Sequence, residues 1–568
     1  LGRHIEAATE CTTVLDIVEE ALPNGLSGGI GEDCKLEEML HKALELLPLV
    51  WTKAGLLGEA IAAYRRVLVK PWNLDSQKLA QVQKELASLL LYGAVETRIP
   101  SHLLPSGSAT PQSNMEEAIL LLLVLMEKMA CGDIKRDDEV MDHLMYAFSL
   151  TGQFELLAEH VEQALPGVYN RAERWYILAL CYSAAGQDEA TLNLLEKVCG
   201  FSESKHQMHV PSCLFGAKLC SQHPQHATAG IKFATKITHL ASHGNQHVIA
   251  QAHRFLGVCC SNAARTSASD TERVMLQQES LNSLNKAALM EPKDSEILYS
   301  LSVENTLQRN LDVAFGCAMM YAEMVSKQSV DGLKLLAFVV SAEQRFKDAE
   351  TIVELAMDDA GKMDHFELLR LKAVLQIAQE QPKQAIDTYR ILLALIQTQR
   401  DLQAEKEQPD FSASEAQKER NLEIAAWQDL ASIYTDLRSW PDAKICINKA
   451  MLMELNCPRN WHMTGQLLEA QSQYREALVA FSFALTVEPD YVPSIVSTAR
   501  ILLKFGDRSR TIAKSFLMNA LRLDSTNHEA WLNLGKISRM EGSLQQAADF
   551  FQAAYELQSS APAPGFSL

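Results

Sequence analysis

Four alanines fall on a fixed beat near the end of this chain, Ala443, Ala477, Ala513 and Ala547, and Ala450, Ala484, Ala520 and Ala554 follow each by seven residues. The steps are 34, 36 and 34 residues in both series. Residues seven apart share one face of a helix, and a face without bulk is one that a second helix can approach closely. Other residues stand at constant offsets from the beat: Trp427, Trp461 and Trp531 sixteen before it, Gly465 and Gly535 four after the tryptophan, Phe481 and Phe551 four after the alanine. The glycine admits the neighbouring helix and the aromatic ring fills the gap. Pro489, which has no N–H to give, ends a second helix.

A helix-turn-helix unit of about 34 residues is the tetratricopeptide period. The spacing therefore predicts an all-α, right-handed superhelical solenoid of tetratricopeptide (TPR) repeats, about thirteen helix-pair units long. Backwards along the chain, Ala349 and Ala385 mark KDAETIVELAM and PKQAIDTYRIL as second helices, and Trp175, Ala179, Tyr182 and Gly186 repeat the order. Trp51, Gly55, Ala60 and Tyr64 do so again, while Ala314 and Tyr321 keep the register without a tryptophan. Proline, serine and mixed charge mark 98–114, 262–273 and 403–420 as loops, and PNGLSGGIGEDCK from Pro23 as another. The resulting division is an N-terminal helix and glycine-rich loop (1–33), an N-terminal solenoid (34–262), central units (263–402), a flexible insert (403–423), regular C-terminal units (424–561) and a tail (562–568). The insert is expected to be mobile and dispensable for folding.

With 568 residues the chain exceeds one compact core, yet 47% hydrophobic residues with 18 prolines and 26 glycines argue against long disorder. A formal charge of −19 disfavours a broad electrostatic grip on nucleic acid or anionic lipid. Twelve cysteines without a C-x-x-C pair read as reduced thiols, which suits the cytosol. The longest apolar run, Ala118 to Met126, is too short to span a bilayer. No cleavable signal opens the chain, and Leu1 lies within a helical pattern, so a stretch ahead of it is expected.

No phosphate loop, dinucleotide-binding glycine motif or H-E-x-x-H helix occurs, so no catalytic, metal or cofactor residues are assigned and no enzyme activity is expected. Half of the sixteen histidines lie between His206 and His253. Among them His239, His243 and His247 have i, i+4, i+8 spacing, but Gly244 and Asn245 form a turn signal between two helices, so surface histidines are expected rather than a metal site. The Lys-x-x-Gly-Asn pattern by which one class of tetratricopeptide groove grips chaperone tails is absent: His462 and Gln466 flank Gly465, Leu532 and Lys536 flank Gly535. One basic stretch stands out, Arg500 to Arg522, with six basic residues and one acid among bulky apolar ones. Its register makes it an ordinary repeat. Should calmodulin bind this chain, it is the candidate segment, with Lys504, Arg508, Arg510 and Lys514 supplying charge and Phe505, Phe516 and Leu517 apolar anchors.

The stretches ERWYILALCYSAAGQDEATLNLLEK, LLRLKAVLQIAQEQPKQAIDTYRILLALIQTQRD, NLDSQKLAQVQKELASLLLYGAVE and SNMEEAILLLLVL resemble the plant No Pollen Germination (NPG) and NPG-related family over nearly the whole chain. That family is similar to the animal tetratricopeptide repeat protein seven family. The resemblance implies a non-catalytic scaffold of a plasma-membrane complex around type III alpha phosphatidylinositol 4-kinase, with three partners: the kinase, a hyccin-like protein and a lipid-anchored helical-repeat membrane subunit. It implies a location in the cytosol and at the cytosolic face of the plasma membrane, with indirect or peripheral membrane contact. Calmodulin binding is a further property of the plant family, and the alternative function is that of a calcium-dependent regulator or a generic TPR adaptor. The regular C-terminal units with Trp427, Trp461 and Trp531 are the expected hyccin-facing part.

Overall fold

The structure, a computed structural model, describes residues 3–21, 34–69, 72–97, 111, 113–135, 137–163, 171–200, 209–239, 245–267, 269–325, 329–358, 360–404 and 413–566. Among the described residues there is no strand. The chain divides into two compact units, Leu1–Ser212 and Cys213–Leu568. The first holds α1 (His4–Ala21), α2 (Cys34–Lys53), α3 (Leu57–Val69), α4 (Ser76–Tyr92), α5 (Asn114–Cys131), α6 (Asp138–Thr151), α7 (Phe154–Gln163), α8 (Arg171–Ala184) and α9 (Asp188–Gly200). The second begins within α10 (Val210–Gln222) and continues through α11 (Ala227–His239), α12 (Gln246–Thr266), α13 (Asp270–Met290), α14 (Ser295–Leu307), α15 (Leu311–Val325), α16 (Asp331–Ala342), α17 (Phe346–Asp358) and α18 (Lys362–Ala378). It ends with α19 (Pro382–Ala404), α20 (Ala413–Asp436), α21 (Trp440–Met453), α22 (Pro458–Ala470), α23 (Tyr474–Val487), α24 (Val492–Lys504), α25 (Asp507–Leu523), α26 (His528–Met540) and α27 (Leu544–Ser559). After α1, the described helices read as consecutive antiparallel pairs of the tetratricopeptide type.

The beat residues lie where two helices cross. Ala443, Ala477, Ala513 and Ala520 are buried, as are Ala450, Ala484, Ala547 and Ala554. A methyl group placed on Gly465 would lie 2.4 Å from the Phe481 ring, and one on Gly535 2.6 Å from the Phe551 ring. Each glycine thus sets the distance of closest approach within its pair. Within the second unit, first helices also pack on the next first helix, α12 on α14, α14 on α16, α20 on α22 and α22 on α24, whereas second helices pack on their flanking first helices. First helices therefore line the inside of the curved stack.

In six pairs the turn between the two helices is built one way despite different residues. Gly186, Arg309, Gln344, Glu380, Arg438 and Ser472 all have φ between 59° and 77°, the left-handed region. The next amide bonds back five residues, Gln187 to the Tyr182 carbonyl, Asn310 to Asn305 and Gln381 to Gln376, which caps the first helix. A side chain there is strained, so Glu380→Gly, at an exposed position, is expected to stabilise the protein by up to about 1 kcal/mol in urea unfolding. A loss of stability would show that the Glu380 side chain has a role the geometry does not give it.

Three stretches differ from the sequence reading. In 262–273 helix runs through to Thr266 and resumes at Asp270, because Ala263 and Ala264 are buried, Asn262 Nδ2 donates to the Ser221 carbonyl (2.9 Å), and Arg273 is buried. The insert is entered by helix from both ends, to Ala404 and from Ala413, with Glu419 buried and Arg400 paired to Glu423 at 2.6 Å; residues 405–412 lie outside the described residues. Likewise most of 98–114 and 22–33 lies outside them, and Ser113, accepting from the Glu116 amide, caps α5. The third is the tail. Ala563 and Phe566 are buried, and Phe566 lies 5.6 Å from the Phe338 ring of α16. Gln344 Nε2 donates to the Ala561 carbonyl (2.9 Å), Arg309 Nη1 to that of Ser560 (2.6 Å) and Arg370 Nη2 to that of Gly565 (3.3 Å). The end of the second unit is thereby tied to first helices nearly two hundred residues or more earlier in the chain.

Candidate partner-binding surfaces

First helices carry a row of polar side chains that no apolar core needs. Asp429 on α20 is the hub: its Oδ2 accepts from Arg370 Nε (3.1 Å) and the Tyr389 hydroxyl (3.0 Å), its Oδ1 from Arg459 Nη2 (2.6 Å). Arg370, Tyr389 and Asp429 are all buried. Burial, and next the Asp429 charge, hold the Tyr389 phenol well above its ordinary pKa. Gln428 Nε2 donates to Asn460 Oδ1 at 2.7 Å, and His462 Nδ1 lies 3.0 Å from Ser494 Oγ. The row joins α18, α20, α22 and α24 by hydrogen bonds between consecutive units.

His462 occupies the place of a clamp lysine, yet it is buried. Burial, with Arg500 and Arg459 nearby, lowers its pKa to about 3. The folded protein holds it neutral, whereas the unfolded chain protonates it near the ordinary value of about 6.5. Its contribution is therefore complete above that pH and is lost as pH falls towards the folded value. His462→Gln is expected to flatten the acid limb of stability between about pH 6 and pH 4; an unchanged limb would place the titration elsewhere.

On second helices bulky apolar side chains stand exposed among polar ones. Ile445 and Leu452 on α21, Val479, Phe483 and Val487 on α23, and Ile512 and Met518 on α25 are exposed, as are Leu355 on α17 and Ile391 on α19. Single exposed apolar groups are ordinary, but recurrence on successive second helices makes a stripe. The tryptophans are only partly buried: Trp461 lies 5.0 Å from Phe483 and Trp531 5.6 Å from Phe550, with its indole donating to the Ser525 carbonyl, while the indole of Trp427 lies 3.4 Å from Glu423. They brace their own pairs.

The basic stretch is two helices. α24 stops at Lys504, Gly506 has φ 98°, and α25 starts at Asp507. Lys504 Nζ lies 3.0 Å from Glu469 and above the Tyr474 ring, and Lys514 lies 3.1 Å from Glu541. Phe505 is exposed, Phe516 and Arg510 are half-buried, and Leu517 is fully buried; the Arg508 side chain lies outside the described residues.

The histidine series is split as its turn signal suggests: His239 ends α11 and Asn245 caps α12, accepting from the His247 amide, with His243 outside the described residues. The structure brings His247 to Glu291, 2.8 Å, and near Asp294, a grouping the sequence spacing did not show. His247 is exposed and paired there. The described cysteines are free thiols, and burial raises Cys181 and Cys446 to about 11 and Cys260 to about 12, which leaves them poor nucleophiles at neutral pH. No described helix is long and apolar enough to cross a membrane.

No protein-family model matches the chain. It is similar to Protein NPGR1 of Arabidopsis thaliana, 53% identical over the whole of this chain and 79% of that protein, and to Protein NPG1 of Arabidopsis thaliana, 39% identical over all of this chain and 80% of that protein. Tetratricopeptide repeat protein 7B of Homo sapiens is 24% identical over 95% of this chain and 75% of that protein. The chain belongs to the family of the plant NPG and NPG-related proteins. Its family and its helix-pair repeats make it a tetratricopeptide-type interaction scaffold.

Proposed function

We propose that this member of the NPG and NPG-related family holds together a plasma-membrane phosphatidylinositol 4-kinase complex, bridging a type III alpha kinase, a hyccin-like protein and a lipid-anchored helical-repeat subunit. The observation that carries the reading is the apolar stripe on successive second helices. A chain of −19 that exposes Ile445, Leu452, Val479, Phe483 and Val487 together presents a surface suited to a protein partner rather than to water or an anionic membrane. The likeness to tetratricopeptide repeat protein 7B supports the choice of complex. Membrane contact is then peripheral, through the anchored subunit. Affinity purification of the tagged chain tests it: the three partners should co-purify in stoichiometric amounts, and Phe483→Glu should release at least one of them while the fold stays intact. Recovery of the chain alone overturns the reading.

A second reading, a calmodulin-binding regulator, is favoured by Phe505, Ile512 and Met518 standing exposed beside Lys504 and Lys514. Use of Leu517 as an anchor requires local opening of the pair. A peptide spanning Arg500 to Arg522 should then bind calcium-loaded calmodulin at micromolar concentration; absence of binding removes this reading.

A further inference from the structure

In a chain of −19, three arginines converge on one cavity of the second unit. It has a volume of about 330 Å³ and lies between the ends of α12 and α14, the start of α13 and the turn joining α25 to α26. Arg265, Arg273 and Arg309 line it, with Ser525 and Thr526 on the opposite wall. Space of that size holds about ten waters.

The guanidiniums are only partly compensated from within. Arg309 Nε is buried and meets no acceptor, and the Nη1 of the same side chain reaches only the neutral Ser560 carbonyl. Burial presses its pKa below the ordinary value, with Asp524 opposing. Among the described residues the Arg265 side chain makes no hydrogen bond or ion pair, and it also lines a second, larger cavity next door. Arg273 donates to the Ser267 and Arg522 carbonyls and pairs with the exposed Asp270. Two carboxylates face the cavity and keep their charge, but neither makes an ion pair with Arg265 or Arg309. Asp524 Oδ1 accepts from the amide and hydroxyl of Thr526, Glu304 Oε1 from Gln308 Nε2 at 2.6 Å. A buried N–H donor without an acceptor, such as Arg309 Nε, is costly to hold.

We propose that this cavity is a binding site for a compact phosphate-bearing anion, held by Arg265 and Arg309 with the Thr526 side of the wall, which fastens the early helices of the second unit to its last pairs. Phosphate suits the site because several oxygens on one small group can take hydrogen bonds from planar guanidiniums on different elements. Sulfate, a compact tetrahedral dianion with less charge and fewer oxygens than pyrophosphate, is the discriminating control.

The test is titration calorimetry of the full chain with inorganic pyrophosphate at constant ionic strength. One equivalent should bind, and Arg265→Gln and Arg309→Gln should each weaken it by about tenfold, the scale of one charge-assisted hydrogen bond. Lys347→Gln, on an exposed lysine of α17, should change nothing. Arg265 is exposed and unpaired, so its variant keeps the fold and the test holds even if Arg309→Gln does not. Phosphatidylcholine vesicles carrying phosphatidic acid distinguish the source: retention lost in Arg265→Gln assigns the phosphate to a lipid, whereas pyrophosphate binding without retention assigns it to a free compound. No pyrophosphate binding, equal binding of sulfate, or affinity unchanged in Arg265→Gln overturns the proposal.

Discussion

Replacing Asp429 with alanine should cost about 3 to 5 kcal/mol, because one carboxylate serves three partners out of water. Its loss takes the Asp429 carboxylate from Arg370, itself buried, and from Arg459, and takes the acceptor from the Tyr389 hydroxyl. Asp429→Asn keeps the shape and some hydrogen bonding but not the charge, and it should fall between. Urea unfolding followed by tryptophan fluorescence, which reports on nearby Trp427 and Trp461, measures both variants. A cost below about 1 kcal/mol for the alanine variant would show that the network is solvated and does not hold the units in line.

Gly465→Ala should cost about 1 to 3 kcal/mol through a single methyl group. That methyl would stand 2.4 Å from the edge of the Phe481 ring, which is fully buried and cannot swing away. Phe481→Ala alone should cost about 3 to 5 kcal/mol by leaving a cavity. Combined, the two changes relieve one another, so the double variant should be more stable than the sum of the single losses by at least about 1 kcal/mol. Strict additivity would mean that the glycine and the ring do not meet, and the register of the repeats would be wrong.

That register was open to reading because a tetratricopeptide pair uses local rules: small residues recur where helices cross, and an aromatic follows in the same helix. Where another residue does the same work the signal fades. A methyl on Gly257 would stand 2.6 Å from Leu284 and one on Gly332 2.9 Å from Ala322, so helices approach closely there too, but no tryptophan announces them. The turns at Arg309, Gln344 and Glu380 adopt a backbone usually marked by glycine, so nothing in those residues signals it. Residues 262–273 read as a loop from serine, threonine and charge, yet burial of Ala263 and Ala264 carries the helix onward.

The polar hub was invisible for a different reason. Arg370, Tyr389, Asp429 and Arg459 come from three consecutive pairs, and only the stacking of those pairs gives the four side chains one address. The same holds for the cavity arginines and for the tail, whose alanines, prolines and glycine give no periodic pattern although Phe566 ends in the core beside Phe338. Contacts of long sequence separation carry no local signature. The basic stretch shows the opposite limit: its composition is plain in the sequence, but Gly506 divides it, and burial of Leu517 depends on the pair as a whole.

The central claim is that the chain acts by holding other proteins together, and the most direct measurement is the mass of what it assembles. The purified chain should be mixed with a hyccin-like protein and the type III alpha kinase, and the mixture separated by size-exclusion chromatography with light-scattering detection. One species containing all three is expected, with loss of at least one component when Phe483 is replaced by glutamate on the exposed face of α23. Separate elution of the three proteins at micromolar concentration would contradict it.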